Sequence, residues 1–208
     1  MNAREIILNK LRAARDARGP VAFPEPEWDT DVFPKPDNLV ETFVTELTTI
    51  QGQVLTGNSP DELLEKLAAF MKERQIDILF CKDSQLKATL NGSIVHTDAP
   101  EAWLDMKAAI TRCEALVART GGVVVSSAHE SGRGLNVFPP IHIVWANASQ
   151  LVPFPDDAIE VMLQRYGHTI PSQVSFITGP SRTADIEKTL VMGAHGPKEL
   201  LVLLNLQA

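Results

Sequence analysis

A chain of 208 residues that is 44% hydrophobic, 22% charged and 6% aromatic has the make-up of a globular protein long enough to bury one substantial core. Its net charge of -7 argues against general nucleic-acid binding, which relies on positive surface facing phosphate. No apolar stretch approaches the roughly 20 residues that span a bilayer, so no membrane partner is expected.

The first segment, "MNAREIILNKLRAARDAR", has the arginines of a transit peptide, but Glu5 and Asp16 oppose that reading. Ile7, Leu8, Leu11 and Ala14 recur at helical spacing and predict an amphipathic helix. A cytoplasmic location is expected. From Gly19 to Asn38 the chain is too broken by proline for a helix or an inner strand. Phe23, Trp28 and Phe33 give this stretch something to bury, so it reads as an ordered arm. The expected organisation is an arm over 1–38 and a main domain over 39–208.

From Leu39 the pattern becomes regular. "ETFVTEL" reads as a strand. "GNSPDELLEKLAAFMKER" predicts a helix: Ser59 can cap it, Pro60 suits its first turn and Glu62 completes a capping box. Leu63, Leu64, Leu67, Phe70 and Met71 form its apolar stripe. "DILFC" and "AAIT" read as strands, "RCEALVAR" as a short helix, and "GVVVSS" and "IHIVWA" as strands. "DDAIEVMLQRY" predicts a helix with Ile159, Met162, Leu163 and Tyr166 on one face, and "VSFIT" and "ELLVLLN" close the series as strands. Inner strands that are continuous apolar runs, alternating with helices, predict an α/β fold with a mostly parallel sheet flanked by helices. Ligands of such sheets sit beyond the carboxyl ends of the strands. That rule points to Ser126, Ser127 and Thr178-Gly179, with the polar segment Ser126–Pro140, which includes Arg133, as a second wall.

The loop after "VSFIT" carries the densest chemistry. Gly179 permits close backbone approach to a ligand, and a helical turn starting near Ser181 or Thr183 would offer free N–H groups to an anion. Arg182 adds a planar fork for carboxylate or phosphate, and Asp185 or Glu187 could orient it. Spacing alone also allows a simpler reading, a capped turn with solvated charges. The loop is neither a Walker A sequence nor a dinucleotide fingerprint.

The stretch "TGPSRTADIEKTLVMGAHGPKELLVLL" resembles the carboxyl-terminal signature of the LUD family, the lactate-utilization protein C group. "ALVARTGGVVV" and "GRGLNVFPPIHIVWANASQLV" resemble two further segments of that family. The resemblance implies a fold similar to the sugar-phosphate isomerase and CoA-transferase group, and work within a three-protein system that oxidises L-lactate to pyruvate. It implies that partner proteins carry the Fe–S clusters and that this chain binds no cofactor of its own. Two features depart from the family pattern: Thr120-Gly121-Gly122 stands where threonine-glycine-threonine is usual, and "SSAHESGRG" replaces a more glycine-rich loop.

The two cysteines, Cys81 and Cys113, lack C-x-x-C spacing and fall short of the four thiolates that usually hold a cluster. They read as small buried hydrophobes. The five histidines show no helical pairing, so no metal site is expected; His142 reads as a core histidine, and His195, beside Gly196, as the better ligand candidate. Glu130 invites comparison with a nucleophilic glutamate but reads as a surface loop residue. Two functions remain open: a non-catalytic or ligand-sensing component of a lactate-oxidising assembly, and an enzyme acting on a phosphorylated or CoA-linked small molecule.

Overall fold

The computed structural model describes residues 2–18, 33–183, 191–193 and 195–207. They fall into two compact units, Met1–Pro34 and Lys35–Ala208. The first holds helix α1 (Ala3–Arg18). Most of the proline-rich stretch, 19–32, lies outside the described residues.

The second unit opens with α2 (Leu39–Thr49), where a strand was expected. Val40, Val44 and the threonines lend this segment β-propensity, but Phe43 and Leu47, four apart, are its buried residues. The Asn38 side chain accepts from Glu41 N at 3.2 Å and caps the helix, so local capping and a one-sided apolar face decide its form. Next come β1 (Gln53–Gly57) and α3 (Pro60–Glu73). The stripe read from the sequence of α3 is wholly buried. Ser59 Oγ accepts from Glu62 N at 3.2 Å, and Glu62 reaches back to Asn58 N at 2.8 Å, one residue before the cap.

The chain continues through β2 (Leu79–Phe80), α4 (Ser84–Leu90), β3 (His96–Thr97) and β4 (Ala108–Arg112). "RCEALVAR", expected as a helix, instead forms β5 (Ala115–Val117) and a 3-10 turn over Ala118–Thr120. Cys113 through Ala118 are all buried, a continuous burial that suits an inner strand better than a one-faced helix. Then follow β6 (Gly122–Ser126), β7 (Ile141–Asn147), β8 (Leu151–Val152), α5 (Pro155–Tyr166) and β9 (Val174–Ile177). In α5 the buried residues are Ala158 and Met162, while Ile159 and Leu163 are exposed. The series ends with β10 (Arg182–Thr183), β11 (Val191–Met192) and β12 (Glu199–Asn205).

Six strands form one sheet in the order β1-β12-β7-β4-β2-β3, with every pairing parallel. A second, four-stranded sheet runs β8-β5-β6-β9, in which β5-β6 and β6-β9 are antiparallel. Ile110, Ile143, Leu201 and Leu203 on one face of the parallel sheet pack against Leu63, Leu67 and Phe70 of α3 and Leu86 and Leu90 of α4. Val144, Ala146, Val202 and Leu204 on its other face meet Phe43 and Leu47 of α2 and Leu116, Val123 and Val125 of the second sheet. Behind that sheet, Ala115, Val117 and Val124 cluster with Ala158 of α5. The α/β expectation of a mostly parallel sheet flanked by helices stands, with a mixed four-stranded layer, parallel only between β5 and β8, inserted on one side.

Candidate functional site

Parallel pairing sets the ends of β1, β2, β3, β4, β7 and β12 at one edge of the main sheet. Two carboxylates are buried there. Asp83 is fully buried; its Oδ1 accepts from Gln85 N and Leu86 N, both at 3.1 Å, and caps α4. Its Oδ2 accepts from Arg112 Nε at 2.8 Å, and Arg112 Nη1 donates to Gln85 Oε1 at 2.8 Å. A buried charge needs such a partner, and Arg112, the last residue of β4, is placed by the strand to supply it.

Two residues on, Glu114 is the second buried carboxylate. Its Oε1 accepts from Ser126 Oγ at 2.5 Å and from Tyr166 Oη at 2.7 Å, and its Oε2 pairs with Arg165. His129 Nε2 lies 3.1 Å from Oε1, close enough to pair whenever the imidazole carries its proton. Burial alone would raise this carboxyl, but His129 and the hydroxyls of Ser126 and Tyr166 outweigh it and hold the group down at about 2. Burial and the bond to Glu114 push the Tyr166 hydroxyl up. Glu114 is therefore an ionised anchor at physiological pH, not an acid or base in waiting. Arg112 and Arg165 line one cleft of about 480 Å³, with Trp145, Asn147, Gln85 and Gln150 around them. Gln150 is fixed by accepting from Asn147 N at 2.8 Å and donating to Cys113 O at 2.7 Å.

The loop that looked richest in the sequence lies at the opposite edge. His195, Gly196 and Pro197 precede β12, Asn136 and Val137 precede β7, and all line a cleft of about 390 Å³ with Thr178, Gly179, Ser181 and Arg182. Six expected residues thus meet: Thr178, Gly179, Ser181, Arg182, His195 and Gly196. They meet at the amino ends of β7 and β12, which corrects the placement drawn from the carboxyl-end rule. Ser126 and Thr178 cannot share a small pocket, because β6 and β9 run antiparallel, with Ser126 opposite Val174 and Ile177 opposite Val123. Arg133 is also apart from this cleft; it is exposed and donates to Ser172 Oγ at 2.5 Å.

The backbone of the Gly179 loop is committed to protein. Gly179 has φ +89, and a Cβ there would stand 2.6 Å from Ile50 O, so the close approach it permits is to the end of α2. Ser181 N donates to Pro197 O at 2.8 Å and Ser181 O accepts from Gly193 N at 2.8 Å. Arg182 and Thr183 are extended and pair with Met192 and Val191, so no helix begins at Ser181 to offer free N–H groups. Asp185 and Glu187 lie outside the described residues. What this cleft retains for a ligand includes the exposed side chains of Thr178, Arg182 and His195.

Other candidates resolve individually. Glu130 is exposed and accepts from Ser84 N at 2.7 Å and Ser84 Oγ at 2.9 Å. His142 is fully buried in β7 with Nε2 2.9 Å from Thr111 Oγ1, and burial lowers it to about 4. Burial pushes the Cys81 thiol up to about 11, and burial with the neighbouring Glu114 charge pushes Cys113 up to about 12. Among the described residues no group of three or more His, Cys, Asp or Glu side chains is gathered to hold a metal ion, and no helix is long and apolar enough to cross a membrane.

An all-parallel sheet covered by helices on one face and by α2 and a mixed four-stranded sheet on the other, with a cleft of about 480 Å³ at its carboxyl edge, defines an α/β domain. The LUD domain model matches residues 40–204, and the chain belongs to the LUD domain family. It is 29% identical over 230 aligned positions to lactate utilization protein C of Bacillus subtilis, covering 96% of this chain and 95% of that one. It is 30% identical to an uncharacterized protein of Neisseria meningitidis serogroup B, over 79% of this chain and 60% of the relative. A DUF162 family protein from Deinococcus radiodurans, solved by crystallography, shares the fold with a TM-score of 0.60 at 18% identity, over 80% of this chain and 96% of that chain.

Proposed function

We propose that this chain acts in lactate utilization, as a ligand-binding component of a cytoplasmic system in which Fe–S partner proteins oxidise L-lactate to pyruvate. The observation that carries the reading is the end-to-end likeness to lactate utilization protein C, which spans 96% of this chain and 95% of the relative. The chemistry of the chain supports the division of labour. Its two cysteines are buried and their thiols are raised, so they are poor donors for a cluster that takes thiolates. The buried acids Asp83 and Glu114 are tied to arginines, which suits holding a ligand better than moving its protons.

The test is genetic and biochemical together. Deleting the gene from the organism that carries it is expected to abolish growth on L-lactate and spare growth on glucose. An affinity pull-down of the full chain from lactate-grown cells is expected to bring down proteins with visible Fe–S absorbance and lactate-dependent dye reduction. Normal growth of the deletion strain on L-lactate would refute the reading.

A further inference from the structure

We infer that the carboxyl-edge cleft between Arg112 and Arg165 is a binding site for a small monocarboxylate that bears an oxygen on the carbon next to its carboxyl group. Each guanidinium is gripped from behind and left open in front. Arg112 uses Nε for buried Asp83 and Nη1 for Gln85, at 2.8 Å each. Arg165 uses Nη1 for buried Glu114. Among the described residues, Arg112 Nη2 and Arg165 Nε and Nη2 have no hydrogen-bond partner. The two side chains, 31% and 45% exposed, line the same cleft of about 480 Å³, within the size range of small-molecule sites. A guanidinium held by one edge has lost much of its freedom already, so less is lost when its other edge takes an oxyanion.

Charge selects the ligand. Arg112 is paired with Asp83 and Arg165 with Glu114, so each guanidinium's charge is already met by a carboxylate behind it. A phosphate dianion entering this cleft would approach Asp83 and Glu114 as well as the arginines. A monocarboxylate needs only the directed N–H groups that remain. The amides of Gln85 and Asn147 at the rim can serve a neutral hydroxyl or keto oxygen beside it, and the buried Trp145 supplies an apolar wall for the carbon chain. Position agrees with chemistry, since the cleft lies beyond the carboxyl ends of β4 and β7, two adjacent central strands of a parallel sheet.

The choice of ligand rests on the lactate reading proposed above, but the readout is binding by the purified chain, so failure of the site and failure of the growth phenotype are told apart. The full-length protein is titrated calorimetrically with sodium L-lactate, pyruvate and inorganic phosphate, with tryptophan fluorescence followed in parallel. L-lactate or pyruvate is expected to bind at one site and more tightly than phosphate. Arg112→Lys and Arg165→Lys, which keep a charge beside Asp83 and Glu114 and so protect the fold, are each expected to weaken binding about tenfold or more. Trp145→Phe is expected to remove the ligand-dependent fluorescence change. Binding that survives both lysine variants, tighter binding of phosphate, binding lost instead in Arg182→Ala, or no binding of any of the three probes would each overturn the assignment.

Discussion

Replacing Glu114 with glutamine keeps the shape of the side chain and removes its charge, and the surroundings set what that costs. The carboxyl sits at about 2 against an ordinary 4.5, a gap worth about 3 kcal/mol of stability at neutral pH. Glutamine keeps one acceptor oxygen but turns an N–H₂ toward donors that had been satisfied, Ser126, Tyr166 or Arg165. A group whose folded value is depressed contributes above its unfolded value and loses that contribution as pH falls through its folded value. The window for Glu114 therefore runs from 4.5 down to about 2. Urea unfolding at pH 7 is expected to place Glu114→Gln about 3 kcal/mol below the natural protein. The difference should narrow by roughly 1 kcal/mol for each pH unit below 4.5. A penalty well under ~1 kcal/mol at pH 7, or one that does not change with acidification, would mean that the carboxylate is not the ionised anchor its partners imply.

His142 works in a separate window: its folded value of about 4 lies below its ordinary 6.5, so the unfolded chain takes up the proton first as pH falls. Stability should drop by roughly 1 kcal/mol per pH unit between 6.5 and about 4, and His142→Gln should remove that slope in the same urea series. Gly121 has φ +59, and a Cβ there would stand 2.4 Å from Leu47 N, so Gly121→Ala should lower stability by well over ~1 kcal/mol; an unchanged melting temperature would contradict the close packing of α2. Ser59→Ala removes the cap of α3 and should cost ~1 kcal/mol in thermal unfolding, with no effect on calorimetric binding of L-lactate.

What could be read from the sequence was what is locally determined. The cap, first-turn proline and apolar stripe of α3 lie within one contiguous stretch, and each reappears in the structure. β7 and β12 announce themselves by apolar runs, interrupted in β7 by His142, because both faces of the parallel sheet are covered. The carboxyl-edge site was not legible in the same way. Ser126, Arg165 and Tyr166 reach Glu114 from 12, 51 and 52 residues along the chain. No spacing rule joins them; only the folding of β6 and α5 around β5 does. A trace was present all the same, since Glu114 is the one charge between Arg112 and Arg119, in a run of otherwise apolar residues. A carboxylate there must either be paired or break the core.

The misplacement of the Gly179 loop has a physical cause that a short connection could have exposed. The carboxyl-end rule holds for strands that run parallel, and a parallel return needs a crossover of about a dozen residues or more. Between β5 and β6 there is only Ala118–Gly121, which permits an antiparallel return and nothing else. Once β6 is antiparallel to β5 and β9 antiparallel to β6, the ends of β6 and β9 must point opposite ways, and their polar loops must part. Ser126 then goes to the edge where Arg112 and Arg165 stand, and Thr178 to the edge where His195 stands. Gly179 lets its loop approach Ile50 closely and the Ser181 backbone N–H is taken by Pro197 O, whereas at the other edge Arg112 and Arg165 are held in place by buried carboxylates.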